Sequence, residues 1–133
     1  MSVINAAVEA VIAWCNTLGL YATVTRGALP TGDGITCEVG PSRPDAVYLD
    51  KGQYIPVDLV FNGKHSDLQT VTDAMNTIHG ALTMAHSYPK GTGWKITDIT
   101  TYTLPEVIGR EDNGQWLLAS SLAVKLSWEA NSI

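Results

Sequence analysis

The stretch that most restricts the fold is QWLLASSLAVKLSWE, residues 115–129. Side chains of a strand alternate between its two faces. Here Trp116, Leu118, Leu122, Val124, Leu126 and Trp128 fall on one side, interrupted only by Ser120. Leu117, Ala119, Ser121, Ala123, Lys125 and Ser127 fall on the other. A long strand that is apolar on one face requires a sheet with that face covered. Upstream, WKITDITTYT (94–103) reads as a second strand, with Trp94, Ile96, Asp98, Thr100 and Tyr102 on one face. Asn113-Gly114 is a turn signal between the two, which makes them an antiparallel hairpin with a long tip, residues 104–115. The run GREDNG within the tip reads as solvated and mobile.

Helical periodicity supplies the covering layer. Ile4, Val8, Val11, Cys15 and Leu18 recur at steps of three and four, predicting a helix over 3–18 that ends at Gly19. Leu68, Val71, Met75, Ile78, Leu82 and Ala85 do the same over 66–86. Strands are predicted at 20–25, at 35–40 and at 53–63, separated by a turn-rich segment (26–34) and an exposed loop (PSRPDAVYLDKG). Pro56 cannot donate to a ladder, so the 53–63 strand is placed at an edge or at a bulge. The fold class is α+β, in a single domain over 1–133: a mainly antiparallel β-sheet with two α-helices packed on one face.

Charge and composition exclude several functions. The net charge is −5 with only eight scattered Lys and Arg, which argues against electrostatic binding to DNA or to an anionic membrane. The N-terminus lacks a basic leader and Glu9 interrupts it, so neither a signal peptide nor a membrane span is predicted, and a soluble, cytoplasmically made protein is. Cys15 and Cys37 lie on apolar stripes and read as small buried hydrophobes.

The stretch NGKHSDLQ (62–69) sets a histidine, a serine and an aspartate side by side. Ser66 followed by Gln69 is the pattern of a capping box, with Asp67 in the first helical turn. Those residue types are therefore explained by helix initiation after a strand ending at Asn62-Gly63. His79 and His86 are two helical turns apart, roughly 10 Å, which is too far for a shared zinc ion. TGDG lacks the lysine of a phosphate loop and precedes a strand, so Asp33 marks a turn. No catalytic residue, cofactor or metal is expected. The rival reading is a small hydrolase or metal enzyme built on His65, Asp67 or His79. Thr97, Ile99, Thr101, Leu117, Ala119 and Ala123 make the hairpin's second face only weakly polar, which points to self-assembly.

GWKITDITTYTLPEVIGREDNGQWLLASSLAVKLSWE resembles the C-terminal half of bacteriophage minor capsid or tail-completion proteins of the tail-terminator family. The resemblance rests on the helix VTDAMNTIHGAL, the Trp94-led strand, and IGREDNGQWL feeding the terminal strand. The N-terminal helix and YIPVDLVFNGK occur in the same order, while 26–52 carries little of the likeness. The family implies a virion protein of the tail-neck region, in the host cytoplasm before assembly. Its subunits form a ring, commonly a hexamer, that stops growth of the tail tube and joins tail to head. Implied partners are other copies of the chain, the tail-tube protein and a head-tail connector or head-closure protein. Genomic DNA would pass through the lumen unbound, repelled by like charge. The tip 104–115 and the loop 40–52 become the expected contact loops, with Ile108, Arg110, Glu111 and Trp116 as the expected interface residues. The nearest alternative is another neck protein, a head-closure or connector subunit.

Overall fold

The computed structural model describes residues 3–40 and 52–129. The elements in order are α1 (Val3–Cys15), β1 (Val24–Thr25), β2 (Gly34–Val39), β3 (Gly52–His65), α2 (Leu68–Thr83), β4 (Lys90–Gly91), β5 (Trp94–Arg110) and β6 (Trp116–Glu129). They form one six-stranded sheet in the order β1-β2-β3-β6-β5-β4. The alternation read in β6 holds from Leu118 to Leu126, although Ser121 of the opposite face is buried as well. Leu118, Leu122, Val124 and Leu126 are buried against the helices, with Ser120 buried among them. Val71, Met75, Ile78 and Leu82 of α2 and Val8, Val11 and Cys15 of α1 close the same core. Cys37 joins them, so both thiols are free and buried, and burial pushes Cys15 up to about 12.

The sheet is mixed, which corrects the expectation in part. β3, β6 and β5 run antiparallel to their neighbours, but β1 pairs β2 in parallel. β1 is also far shorter than the predicted 20–25 strand. The Asn16 side chain accepts from the Val24 N–H (2.7 Å) and donates to the Val24 carbonyl (3.3 Å), occupying backbone groups that a longer strand would pair.

Pro56 does not mark an edge strand. β3 lies inside the sheet, flanked by β2 and β6. The described β2 ladder stops at Val39 opposite Leu59, so Pro56 lies beyond it, opposite only Lys125 of β6. Among the described residues a missing N–H there removes no β2 hydrogen bond. Nor does the strand end at Asn62-Gly63; it continues to His65. At Gly63 α2 packs close against the sheet, since a Cβ there would stand 2.8 Å from Val71 Cγ2.

The helix start also shifts by one residue. Asp67, not Ser66, is the N-cap of α2, and its carboxylate accepts from the Thr70 N–H at 3.3 Å and from the Thr70 hydroxyl. These bonds hold the Asp67 pKa below its ordinary value. Gln69 turns to Asp73 instead of reaching back to the cap.

β5 departs most from strict alternation. Four register shifts separate it from β6. The first lies between Ile96 and Asp98, so Ile96 and Ile99 are both buried while Thr100 and Tyr102 face solvent. The face predicted from period two is therefore wrong beyond Ile96, because each extra residue in a bulge reverses the parity of those after it. The tip is shorter than expected too. β5 stays paired through Arg110, and a turn over Glu111–Gln115 closes the hairpin. Glu111 N–H donates to Gln115 O, and Gly114 N–H to Glu111 O, each at 2.8 Å. Gly114 takes φ +90°, which glycine adopts without strain.

Candidate functional site

The hairpin turn is held by polar contacts reaching three other segments. Lys64 Nζ stands 2.8 Å from Glu111 Oε1, and the Lys64 side chain is only 6% exposed. Gln115 Nε2 donates to Asp33 Oδ1 at 2.6 Å, and Asp33 Oδ2 lies 3.3 Å from His65 Nε2. Asn113 ties the turn to itself through the backbone N–H and side chain of Gln115. Beneath them the Tyr21 hydroxyl meets the Gly34 and Lys64 backbones and its ring packs edge-on to His65. Burial raises the Tyr21 phenol to about 12, so it stays a neutral hydrogen-bonding post. Asp33, Tyr21, Lys64 and Gln115 were not legible as a cluster. They lie far apart in sequence, and the only local signal, TGDG, was that of a turn.

The same geometry bears on NGKHSDLQ. His65 Nδ1 accepts from the Asp67 backbone N–H at 2.8 Å, while Nε2 faces the Asp33 carboxylate. Both ring nitrogens are engaged, so His65 has no lone pair directed at Ser66. A base for a serine nucleophile needs that lone pair. His79 is buried in α2, with Nδ1 3.0 Å from Thr101 Oγ1 on β5, and His86 is exposed. The three histidines stand apart, and among the described residues no group of three His, Cys, Asp or Glu could hold a metal ion. No described helix is long and apolar enough to cross a membrane.

His79 carries a pH dependence. Burial holds its pKa below the ordinary 6.5, and Nε2 has no hydrogen-bond partner among the described residues. As pH falls through 6.5 the unfolded chain binds a proton that the folded chain refuses, so stability is complete above that pH and declines below it. Thermal denaturation between pH 7.5 and 5 should show this decline, at most about 1.4 kcal/mol per pH unit for one proton. His79→Leu should flatten the profile; an unchanged slope would remove His79 as its source.

The four expected interface residues divide into two groups. The Arg110 guanidinium lies 4.6 Å from the Trp116 ring centroid, and its Nε donates to Gly114 O at 3.2 Å. Trp116 is half-buried against the core, and Glu111 holds Lys64. These three residues brace the turn from within. Ile108 alone projects freely, 57% exposed, and Leu104 at 71% and Val107 at 48% are exposed on the same strand. That apolar ridge lies on an open edge: β4 pairs only with Trp94 and Lys95, and no described strand flanks β5 beyond them. An exposed apolar strand edge is a surface that native chains use for association or else blunt with charge. The loop 40–52 lies almost wholly outside the described residues.

No family model and no curated protein matches the chain. Among solved structures it is similar to a chain of the virion of a native gene transfer agent particle, with TM-score 0.64 and 14% identity. The likeness covers 93% of this chain and 94% of that one. At this identity it is a likeness of fold.

Proposed function

We propose that the chain is a structural subunit of a phage-like virion, and in particular a tail terminator. In that role a ring of copies caps the head-proximal end of the tail tube, stops its growth and presents a surface to the head. The observation that carries the reading is the end-to-end fold likeness to a virion chain, with nearly equal coverage of both partners. The open β5 edge and its ridge supply the kind of surface that a ring subunit requires. The IGREDNGQWL resemblance supplies the choice of terminator among neck proteins. An enzymatic reading loses support from the doubly engaged His65.

Electron microscopy of particles carrying a labelled copy of this chain tests the reading. A ring between tail tube and neck supports it. Density on the head side of the neck would replace it with a head-closure role, and absence from particles would sink both. A double substitution, Leu104→Asp with Ile108→Asp, should leave the monomer folded, because both side chains are exposed. It should reduce incorporation into particles at least tenfold; normal incorporation would remove the ridge from the contact.

A further inference from the structure

Asn113-Gly114 closes the β5–β6 hairpin, and the turn makes a demand on each residue. Glu111 and Gln115 pair across a short loop, and Gly114 takes the φ of +90° that the end of such a loop requires. Asn113 is fixed through its side chain. Asp33 Oδ1 accepts from Gln115 Nε2 at 2.6 Å, and a carboxylate offers no proton, so the nitrogen end of the Gln115 amide must face it. Gln115 Oε1 is thereby turned toward Asn113, where it accepts from Nδ2 at 2.9 Å. Asn113 Oδ1 in turn accepts from the Gln115 backbone N–H at 3.0 Å. This chain of donors has one direction, and position 113 must supply a proton to it. An amide can do so and a carboxylate cannot.

The same dipeptide carries a reactivity of its own. With glycine after asparagine, no side chain shields the glycine nitrogen from the asparagine Cγ. That nitrogen can form a bond to Cγ; the Cγ–Nδ2 bond breaks, and ammonia leaves with the proton that the glycine nitrogen loses. Water then opens the cyclic imide at either carbonyl, giving aspartate or isoaspartate and a new negative charge. Arg110 stands beside the reacting residue, with Nε donating to Gly114 O at 3.2 Å, and its positive charge favours loss of that proton. Two bonds hold the reaction back. Gly114 N–H is donated to Glu111 O at 2.8 Å, and Asn113 Oδ1 is held by the Gln115 N–H. Asp112 and Asn113 are exposed, so opening of the turn alone releases both.

We propose that Asn113 is a site of spontaneous deamidation, reached when the hairpin turn opens, and that its acidic product leaves the turn detached from Asp33. The inference is independent of the ring reading. In the product a carboxylate oxygen stands where Nδ2 stood, facing Gln115 Oε1, acceptor against acceptor. Rotating the Gln115 amide end for end only moves the clash to Asp33. Gln115 is 7% exposed, so water scarcely replaces the lost donor. Isoaspartate also adds a methylene to the backbone, which a loop closed by Glu111 and Gln115 does not accommodate. The modification is therefore one-way.

The chain holds its own control. Asn62-Gly63 is the other Asn-Gly pair in the sequence, and it lies inside β3. Asn62 is paired with Thr36 and Ala119, and Gly63 with Ile35 and Leu118. That pair reacts only when the sheet comes apart.

Peptide mass spectrometry of the full chain, aged at mildly alkaline pH, follows the two sites separately, and a urea-unfolded sample gives the intrinsic rate of each. In the folded chain Asn113 should convert while Asn62 stays intact; in urea the two should convert alike. Gln115→Ala frees the Asn113 amide and should raise the rate at Asn113 severalfold without raising it at Asn62. A parallel rise at Asn62 would trace the effect to opening of the sheet and overturn the role given to Gln115. Equal conversion of Asn62 and Asn113 in the folded wild-type chain would assign both to global unfolding and overturn the proposal. An Asn113 that stays intact in the folded chain, with or without Gln115, while the urea sample converts would overturn it too. Asn113→Asp reproduces the product directly, and its Gly114 amide hydrogen should exchange severalfold faster than in the wild type. Unchanged exchange there would overturn the detachment of the turn.

Discussion

Replacing Phe61 by alanine should destabilise the domain by about 4 kcal/mol, lowering its melting temperature by roughly 15 °C. Phe61 is the chain's one phenylalanine and is fully buried in β3. Its sheet partners are Cys37 on β2 and Ser120 on β6. Both are small, so the ring fills space that its neighbours leave open. This also accounts for the serine that interrupts the β6 alternation. Ser120 is 2% exposed and its hydroxyl has no hydrogen-bond partner among the described residues, yet a larger side chain there would crowd the ring. With neither neighbour able to expand into the gap, most of the cavity should remain. Urea denaturation measures the loss, and a loss below about 2 kcal/mol would mean that the site collapses around the deletion.

Glu111→Ala should cost about 3 kcal/mol, with a fall in melting temperature of roughly 10 °C. The reason lies with its partner. Lys64 is almost fully buried, and removing the carboxylate at 2.8 Å leaves an ammonium with no opposite charge in a place that water scarcely reaches. The reverse deletion is milder. Lys64→Met keeps the aliphatic stem and frees Glu111, which at 39% exposure can be solvated, so a loss of about 1 kcal/mol is expected. The asymmetry is the test: equal losses from the two variants would show that the buried ammonium finds water or another acceptor. The result also bears on function. If Glu111 acts mainly through Lys64, its removal disorders the turn that carries Arg110 and lowers assembly indirectly. Ile108 substitutions, by contrast, should act on assembly while the fold stays intact.

The helices and the terminal strand were legible because their patterns are local and regular. β6 keeps Leu118, Ser120, Leu122, Val124 and Leu126 buried at every second position. α2 keeps Val71, Met75, Ile78 and Leu82 on one side. Errors arose wherever a competing bond or a bulge stepped in. A period-two reading of β5 cannot anticipate four register shifts, and a missed bulge inverts every face assignment after it. Ser66 and Asp67 are both good caps, and the choice fell to Asp67 once His65 had claimed its N–H. Pro56 looked like an edge because the sequence does not show where the neighbouring strand ends.

The candidate site divides along the same line. Ile108 and the tip were expected as contacts only through the family resemblance that IGREDNGQWL carries, which is visible in one short window. The Asp33–His65 and Lys64–Glu111 contacts could not be read, because their partners lie in different elements, far apart in the sequence. By itself the sequence determined a mainly β fold with two helices and a terminal hairpin, and a net negative charge. Those follow from periodicity and composition, which each segment carries alone. Only the tertiary structure decided which edge of the sheet is open among the described residues, and which of the tip residues face inward. Burial, strand order and strand register depend on what lies across the sheet, and no single segment contains that information.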